Sequence, residues 1–253
     1  MTIFLAITNS SGGSGKTTTA HALAVACAEY GRRTLLVDFD PGAQLTYLLK
    51  VENPRSSVVD VLREQSYLDS SIHSTSERFS FLPSDSRLSH LNFNKKTVAE
   101  VSSNFRKACQ ESDPAFDLVI LDCASSVSVL SLLTFAIADY VLAPFVPTLH
   151  GARGVLQSLE ISRSEVTSSN AGSQWLGALP ILIGSDSSEI DQLLSSEVKI
   201  MSPSIPKSRT VPDSSYSGKS VLNFAPQGSV ALAYRELAYF LLEEMQESKN
   251  SKN

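Results

Sequence analysis

Residues 9–19 read NSSGGSGKTTT. Glycines at 12, 13 and 15 let the backbone turn tightly and aim successive N–H groups into one concavity. A helix starting just beyond adds the positive end of its dipole, so the stretch predicts an anion cradle. Lys16 supplies a mobile cation for the outer phosphates of a nucleotide, and Thr17 a hydroxyl for Mg²⁺. The flanks suit this reading: TIFLAIT before the loop has the pattern of a buried strand, and TTTAHALAVACAEYG after it that of a helix ending at Gly31. Two serines stand out. The usual pattern GxxxxGK[ST] wants glycine where this chain has Ser10. A variant, KGGxGK[ST], matches at Gly12 and Gly13 but wants lysine where this chain has Ser11.

Outward from the loop, apolar runs alternate with helical patterns. RTLLVDFD, FDLVILDCA, YVLAPFVP and LGALPILIG predict further strands, and SVALAYRELAYFLLEEMQ a closing amphipathic helix. Strands this apolar, separated by helices, predict an α/β fold: a mostly parallel sheet with helices on both faces. Residues 1–246 are expected to form a single domain and 247–253 a polar tail. The serine-rich stretch 66–90 and the segment VTSSNAGS are expected to be surface loops. In a parallel sheet the strand C-termini meet at the edge that carries the phosphate loop. Asp38 and Asp40 close the second strand and Asp122 the third. Carboxylates at that edge can hold Mg²⁺ through water and polarise an attacking water.

Composition narrows the classes. Of 253 residues, 42% are hydrophobic and 19% charged, which describes a globular protein with no membrane-length apolar run. The net charge of −5 means that any attraction to DNA comes from a local basic face. Cys27, Cys109 and Cys123 are widely spaced and contain no CxxC, against a disulfide framework, a zinc knuckle or a shared iron–sulfur cluster. His21, His73, His90 and His150 form no metal-ligand spacing, and His150 reads as a loop histidine. Tyr234 to Met245 form an apolar stripe expected to be core. The first residues lack a signal-peptide pattern, so a cytoplasmic location is expected. The acidic end of the closing helix argues against membrane targeting.

Taken together, GGSGKTTTA, VDFDPGAQLT, FDLVILDCASSVSVLSLLTFAIADYVLAPFVPT and IPKS…VPDSSYSGKSV…AYRELA make the chain similar to the ParA/MinD group of deviant-Walker P-loop ATPases. The resemblance covers nearly the whole chain. It implies ATP and Mg²⁺ as cofactors and a P-loop NTPase architecture. Ser11, Gly12, Gly13, Ser14, Gly15, Lys16, Thr17 and Thr18 would line the phosphate site, with Pro206 in IPKS near the adenine. Thr17, Asp40 and Asp122 would serve the metal, Lys16 and Asp40 catalysis, and residues 122–126 would form a γ-phosphate switch. The segment GSDSS is a second place for the adenine.

The chain departs from the family in two places. DPGAQ replaces DPQxN, leaving Gln44 as the nearby amide. Ser11 replaces a lysine that in this family reaches the partner's phosphates across an ATP-sandwiched homodimer. Serine at this position resembles the McdA branch, which positions carboxysomes over the nucleoid and in which a lysine from the C-terminal half takes that role. The candidates here are Arg153, Lys207 and Lys219. The resemblance implies a homodimer, non-specific DNA, a McdB-like adaptor that stimulates hydrolysis, and a nucleoid-associated location without membrane. Arg163, Lys199, Arg209, Arg235 and Lys249 are candidates for the DNA face. A plasmid or chromosome partition ATPase, carrying DNA through a centromere-binding protein, is the alternative.

Overall fold

The fold is seen in a computed structural model that describes residues 2–92, 94–125, 128–166, 172–183 and 194–250. β1 (Ile3–Ile7), β2 (Thr34–Phe39), β5 (Leu118–Cys123) and β6 (Tyr140–Phe145) are buried at every position. The burial has a simple cause. Side chains alternate between the two faces of a strand, and here both faces are covered. Ile3, Leu5 and Ile7 join the core under α1 (Lys16–Glu29), whereas Phe4 and Ala6 join the core on the other side.

Among the described residues eight strands run in the order β3-β4-β2-β5-β1-β6-β7-β8, with β7 at Gln174–Ile183 and β8 at Ile205–Pro206. Every pair is parallel except β3 (His73–Ser74) with β4 (Ser80–Leu82). Short helices α2 (Gln44–Leu48), α3 (Val58–Leu62) and α4 (Leu68–Ser71) follow β2. α5 (Lys95–Glu111) and α6 (Val129–Ile137) cover one face, and α7 (Leu149–Val166) covers β6 and β7. After α8 (Thr210–Ser217) and α9 (Val221–Phe224), α10 (Ser229–Asn250) packs beside α1 on the opposite face. β1 lies between β5 and β6, where the chain turns from building one half of the sheet to building the other. Ligands of open α/β sheets bind at such a switch point, outside the strand C-termini.

Two sequence expectations change. The stretch 66–90 is not only loop: it holds α4, β3, β4 and a 3₁₀ turn at Ser86–His90. β4 extends the sheet beside β2, with Phe81 and Leu82 fully buried. The helix predicted to close at 246 continues to Asn250, so the first half of the expected tail is helical. Residues 167–171 of VTSSNAGS and residues 251–253 lie outside the described residues.

Candidate nucleotide site

The phosphate loop leaves β1 and enters α1 through Gly15, whose left-handed φ of 79° fits glycine. Gly15 has a second constraint: a Cβ there would lie 2.2 Å from the Ile181 side chain. α1 begins with no side-chain cap and no acidic residue in its first turn. Its first N–H groups are therefore left for an anion. Lys16 is 6% exposed. Its Nζ donates to the Ser11 carbonyl (3.1 Å), the Ser14 hydroxyl (3.3 Å) and the Ser125 hydroxyl (3.1 Å). Burial lowers the Lys16 pKa, while Asp122, Cys123 and Asp40 oppose the shift.

The stem of the loop is fastened to its neighbours. Asn9, fully buried, donates from Nδ2 to the Pro144 carbonyl (2.9 Å), and its Oδ1 accepts the Ser11 N–H (2.8 Å). The Ser10 N–H donates to the Ser158 hydroxyl oxygen (3.0 Å), and the Ser11 hydroxyl donates to the His150 carbonyl (2.7 Å). Ser11 thus presents its carbonyl to Lys16 and turns its side chain toward α7.

Parallel pairing sets the carboxylates. Asp122 is level with Ile7 on one side and with Asp38 on the other. Asp38 accepts the Thr46 N–H (2.9 Å), the Thr46 hydroxyl (2.7 Å) and the Asp40 N–H (3.1 Å). Burial raises its pKa to about 6 against the pull of those hydrogen bonds. Asp122 is 1% exposed, and its Oδ1 has no hydrogen-bond partner among the described residues. Burial first, and then the Asp38 charge, push its pKa well up, while a hydrogen bond from Thr17 works the other way. An orphaned carboxylate oxygen beside a threonine hydroxyl is a donor set that fits Mg²⁺, which takes one or two carboxylates together with substrate phosphates. Asp40 is half-buried at the mouth, and its Oδ1 accepts the Gly42 N–H (2.8 Å).

The loop and Asp40 border a cavity of about 400 Å³ whose polar lining is residues 12–18, Asp40, Gln44 and Ser125. Ile181, Ile205, Pro206, Val211 and Tyr234 form its apolar end. A polar, cationic end joined to an apolar end suits a nucleoside polyphosphate. Tyr234 has a double role that the stripe pattern hid: it is core, and its hydroxyl shares a hydrogen bond with Thr19 (3.0 Å) at the cavity wall. Ile181 and Val211 were not singled out in the sequence, because apolar residues in a strand and a short helix give no local sign of facing a ligand. Ser126 and all of GSDSS lie outside the described residues.

A family model described as "AAA domain" matches residues 2–170. The chain is 31% identical over 252 residues to the chromosome-partitioning ATPase Soj of Thermus thermophilus, covering 96% of this chain and 97% of that protein. It belongs to the ParA/MinD-type P-loop ATPases. The maintenance of carboxysome distribution protein A of Synechococcus elongatus is 28% identical over 67% of this chain and 68% of that protein. Among solved structures, cobyrinic acid a,c-diamide synthase from Mycobacterium smegmatis, with bound ADP and magnesium, superposes with a TM-score of 0.82 at 29% identity. The match covers 98% of this chain and 97% of that one.

Within this ParA/MinD-type ATPase the candidate cations separate. Arg153 is exposed on the first turns of α7, and Lys207 is exposed beside Pro206. Neither makes an ion pair among the described residues. Lys219 borders a different cavity, with Glu29, Glu77 and Asn223. Of the proposed DNA contacts, Arg163 pairs with Glu197 (3.2 Å), Lys199 with Glu244 (3.0 Å) and Arg235 with Glu29 (2.6 Å). Arg209 is exposed and unpaired among the described residues, and the Lys249 side chain lies outside them. His21 is no free imidazole: it is buried against Glu77 at 2.6 Å. All three cysteines are buried thiols, with Cys27 and Cys123 pushed up to about 12 by burial. Among the described residues, no helix is long and apolar enough to cross a membrane.

Proposed function

We propose that this ParA/MinD-type chain hydrolyses ATP to ADP and phosphate and uses the cycle to position carboxysomes over nucleoid DNA. One observation carries the nucleotide chemistry. The buried Lys16 ammonium is hydrogen-bonded both to the phosphate loop, at Ser11 and Ser14, and to Ser125 beyond β5. A phosphate entering the cavity competes for that ammonium, so nucleotide occupancy is felt by the segment after Asp122. Mg²⁺, when bound, neutralises phosphate charge. Thr17 and Asp122 would hold it, and Asp40 at the mouth would orient the attacking water. The bound ADP and magnesium of the Mycobacterium relative support the same cofactors here.

ATP closes a homodimer over the exposed strand-end edge, and the dimer binds DNA without sequence preference. A McdB-like adaptor stimulates hydrolysis and releases the subunits, so that a nucleoid-associated gradient carries the cargo. Ser11 and the carboxysome-distribution relative support the organelle cargo. The Soj relative, which matches over more of the chain, supports DNA partition through a centromere-binding partner as the second reading. Stimulation of ATP hydrolysis by a carboxysome adaptor, against a centromere-binding protein on its DNA site, separates the two.

The test is binding of the full chain to non-specific duplex DNA, wild type against Lys16→Ala, with ATP, ADP or neither, across a salt series. Binding only with ATP, lost in Lys16→Ala and falling linearly with the logarithm of salt, is the expected result. Absence of DNA binding in every state overturns the nucleoid reading.

A further inference from the structure

The stem of the phosphate loop makes contacts with α7 outside the nucleotide cavity. Ser11 is 4% exposed, and its hydroxyl is spent on the His150 carbonyl in the first turn of α7. One turn on, Gly154 has no side chain, and none fits: a Cβ there would lie 2.1 Å from Asn9 Oδ1, 2.2 Å from Ser11 Oγ and 2.7 Å from the Ser11 nitrogen. A further turn on, Ser158 is 1% exposed. Its hydroxyl donates to the Gly154 carbonyl (2.9 Å) and accepts the Ser10 N–H (3.0 Å). Residues 150, 154 and 158 follow an i, i+4, i+8 spacing, so one stripe of α7 faces the loop stem. Only a glycine in the middle of that stripe lets the two backbones approach.

From this geometry we infer that Ser11 is a tether within its own subunit, and that Gly154 and Ser158 are positioning residues for the phosphate site. The chain of cause is short. Ser158 fixes Ser10, the His150 carbonyl fixes Ser11, and the Ser11 carbonyl holds the Lys16 ammonium. α7 therefore sets where the loop's cation stands. Position 11 is a filled site and not a gap awaiting a longer cation. A lysine there loses the α7 contact and leaves the Asn9 bond as the remaining tie on the residue whose carbonyl holds Lys16. The inference rests on the nucleotide-binding reading above and deepens it.

The test uses the full chain as wild type, Ser158→Ala, Ser158→Thr, Gly154→Ala and Ser11→Lys. Three quantities are read: the Kd for MgATP by calorimetry, KM against kcat, and Tm. In Ser158→Ala, Kd and KM rise about five- to tenfold, the size of one lost hydrogen bond, while kcat holds and Tm falls by a few degrees. Ser158→Thr keeps the hydroxyl and restores both. Gly154→Ala and Ser11→Lys weaken MgATP binding further than Ser158→Ala. An unchanged KM in Ser158→Ala, or tighter binding and faster turnover in Ser11→Lys, overturns the tether.

Amide exchange at Ser10 and Ser11 in nucleotide-free protein separates this inference from the reading it rests on. Wild-type protection that falls at Ser10 in Ser158→Ala, where only the longer bond to the Gly154 carbonyl (3.4 Å) remains, while Ser11 stays held by Asn9, supports the tether even if the chain binds no ATP. Unprotected amides in the wild type overturn it even if ATP binds well. If Ser158→Ala fails to fold, Ser11→Ala removes the His150 contact alone and carries the same expected rise in KM.

Discussion

Asp38 and Asp122 stand side by side at the ends of neighbouring strands, and both are buried. Their bonding differs. Asp38 accepts three hydrogen bonds from Thr46 and Asp40, which close the turn between β2 and α2. Asp122 keeps one oxygen without a partner among the described residues. A buried polar group left unsatisfied costs stability, so its persistence needs a reason. Asp122 stands at the C-terminal edge of the sheet, beside Thr17 and Lys16, and on the proposed function that reason is a ligand supplying the missing partner. The two strand-end aspartates thus divide into one whose oxygens hold the chain and one with an oxygen left over, which the proposed function assigns to the metal.

The sharpest way to break this division is to remove each carboxylate in turn. Asp122→Ala is expected to lower kcat about 100-fold, the loss typical when a group that orients a metal is removed. Its Tm should hold or rise, because the change deletes an orphaned oxygen and a carboxylate that the Asp38 charge opposes. Asp38→Ala is expected to do the reverse first. It strands the Thr46 N–H, the Thr46 hydroxyl and the Asp40 N–H, at a cost of about 3 kcal/mol. Chemical denaturation reads that loss directly. A stable but inactive Asp38→Ala beside an unfolded Asp122→Ala would reverse the assignment. Thr46→Val probes the same clamp more gently. It removes the hydroxyl that donates to Asp38 and accepts the Ser84 N–H, and should cost about 1–2 kcal/mol with KM for ATP unchanged.

Much of this was legible in the sequence, and for a physical reason. A phosphate loop is a local object: its glycines, lysine and threonine are adjacent in the chain and need no distant partner to be recognised. Strand-end aspartates are nearly as local, since each closes a continuous apolar run. What separates Asp38 from Asp122 is not local, because Thr46 bonds one and no described residue bonds one oxygen of the other. Gly154 was invisible for the same cause, lying 143 positions from the Ser11 it abuts. In a helix, a glycine that serves a close approach has the same local sequence as one that serves nothing. β4 was missed because Ser80–Leu82 is three residues long, inside a stretch whose serines read as loop. Tyr234 carried a clear helical stripe, and that signal concealed its hydroxyl contact with Thr19.

The smallest effect tests whether Asp38 is a clamp despite its burial. Burial raises its native pKa to about 6, above the usual 3.8, with the nearby Asp40 charge adding to the rise. The native state therefore keeps this proton to higher pH than the unfolded chain does. Across that window the native state binds more protons, so stability falls as pH rises. The contribution is whole below the unfolded pKa and is lost as pH passes through the native one. Between about pH 5 and pH 7 the loss from this one group is about 1 kcal/mol. Asp85, held down to about 2 by its hydrogen bonds with Arg87, changes stability below that range and does not mask the trend. Asp38→Asn keeps an acceptor for the turn but has no proton to release. The difference in unfolding free energy between Asp38→Asn and the wild type should therefore grow in favour of the variant from pH 5 to pH 7. A difference that stays flat would mean that Asp38 is already ionised at pH 5, with its three hydrogen bonds outweighing its burial.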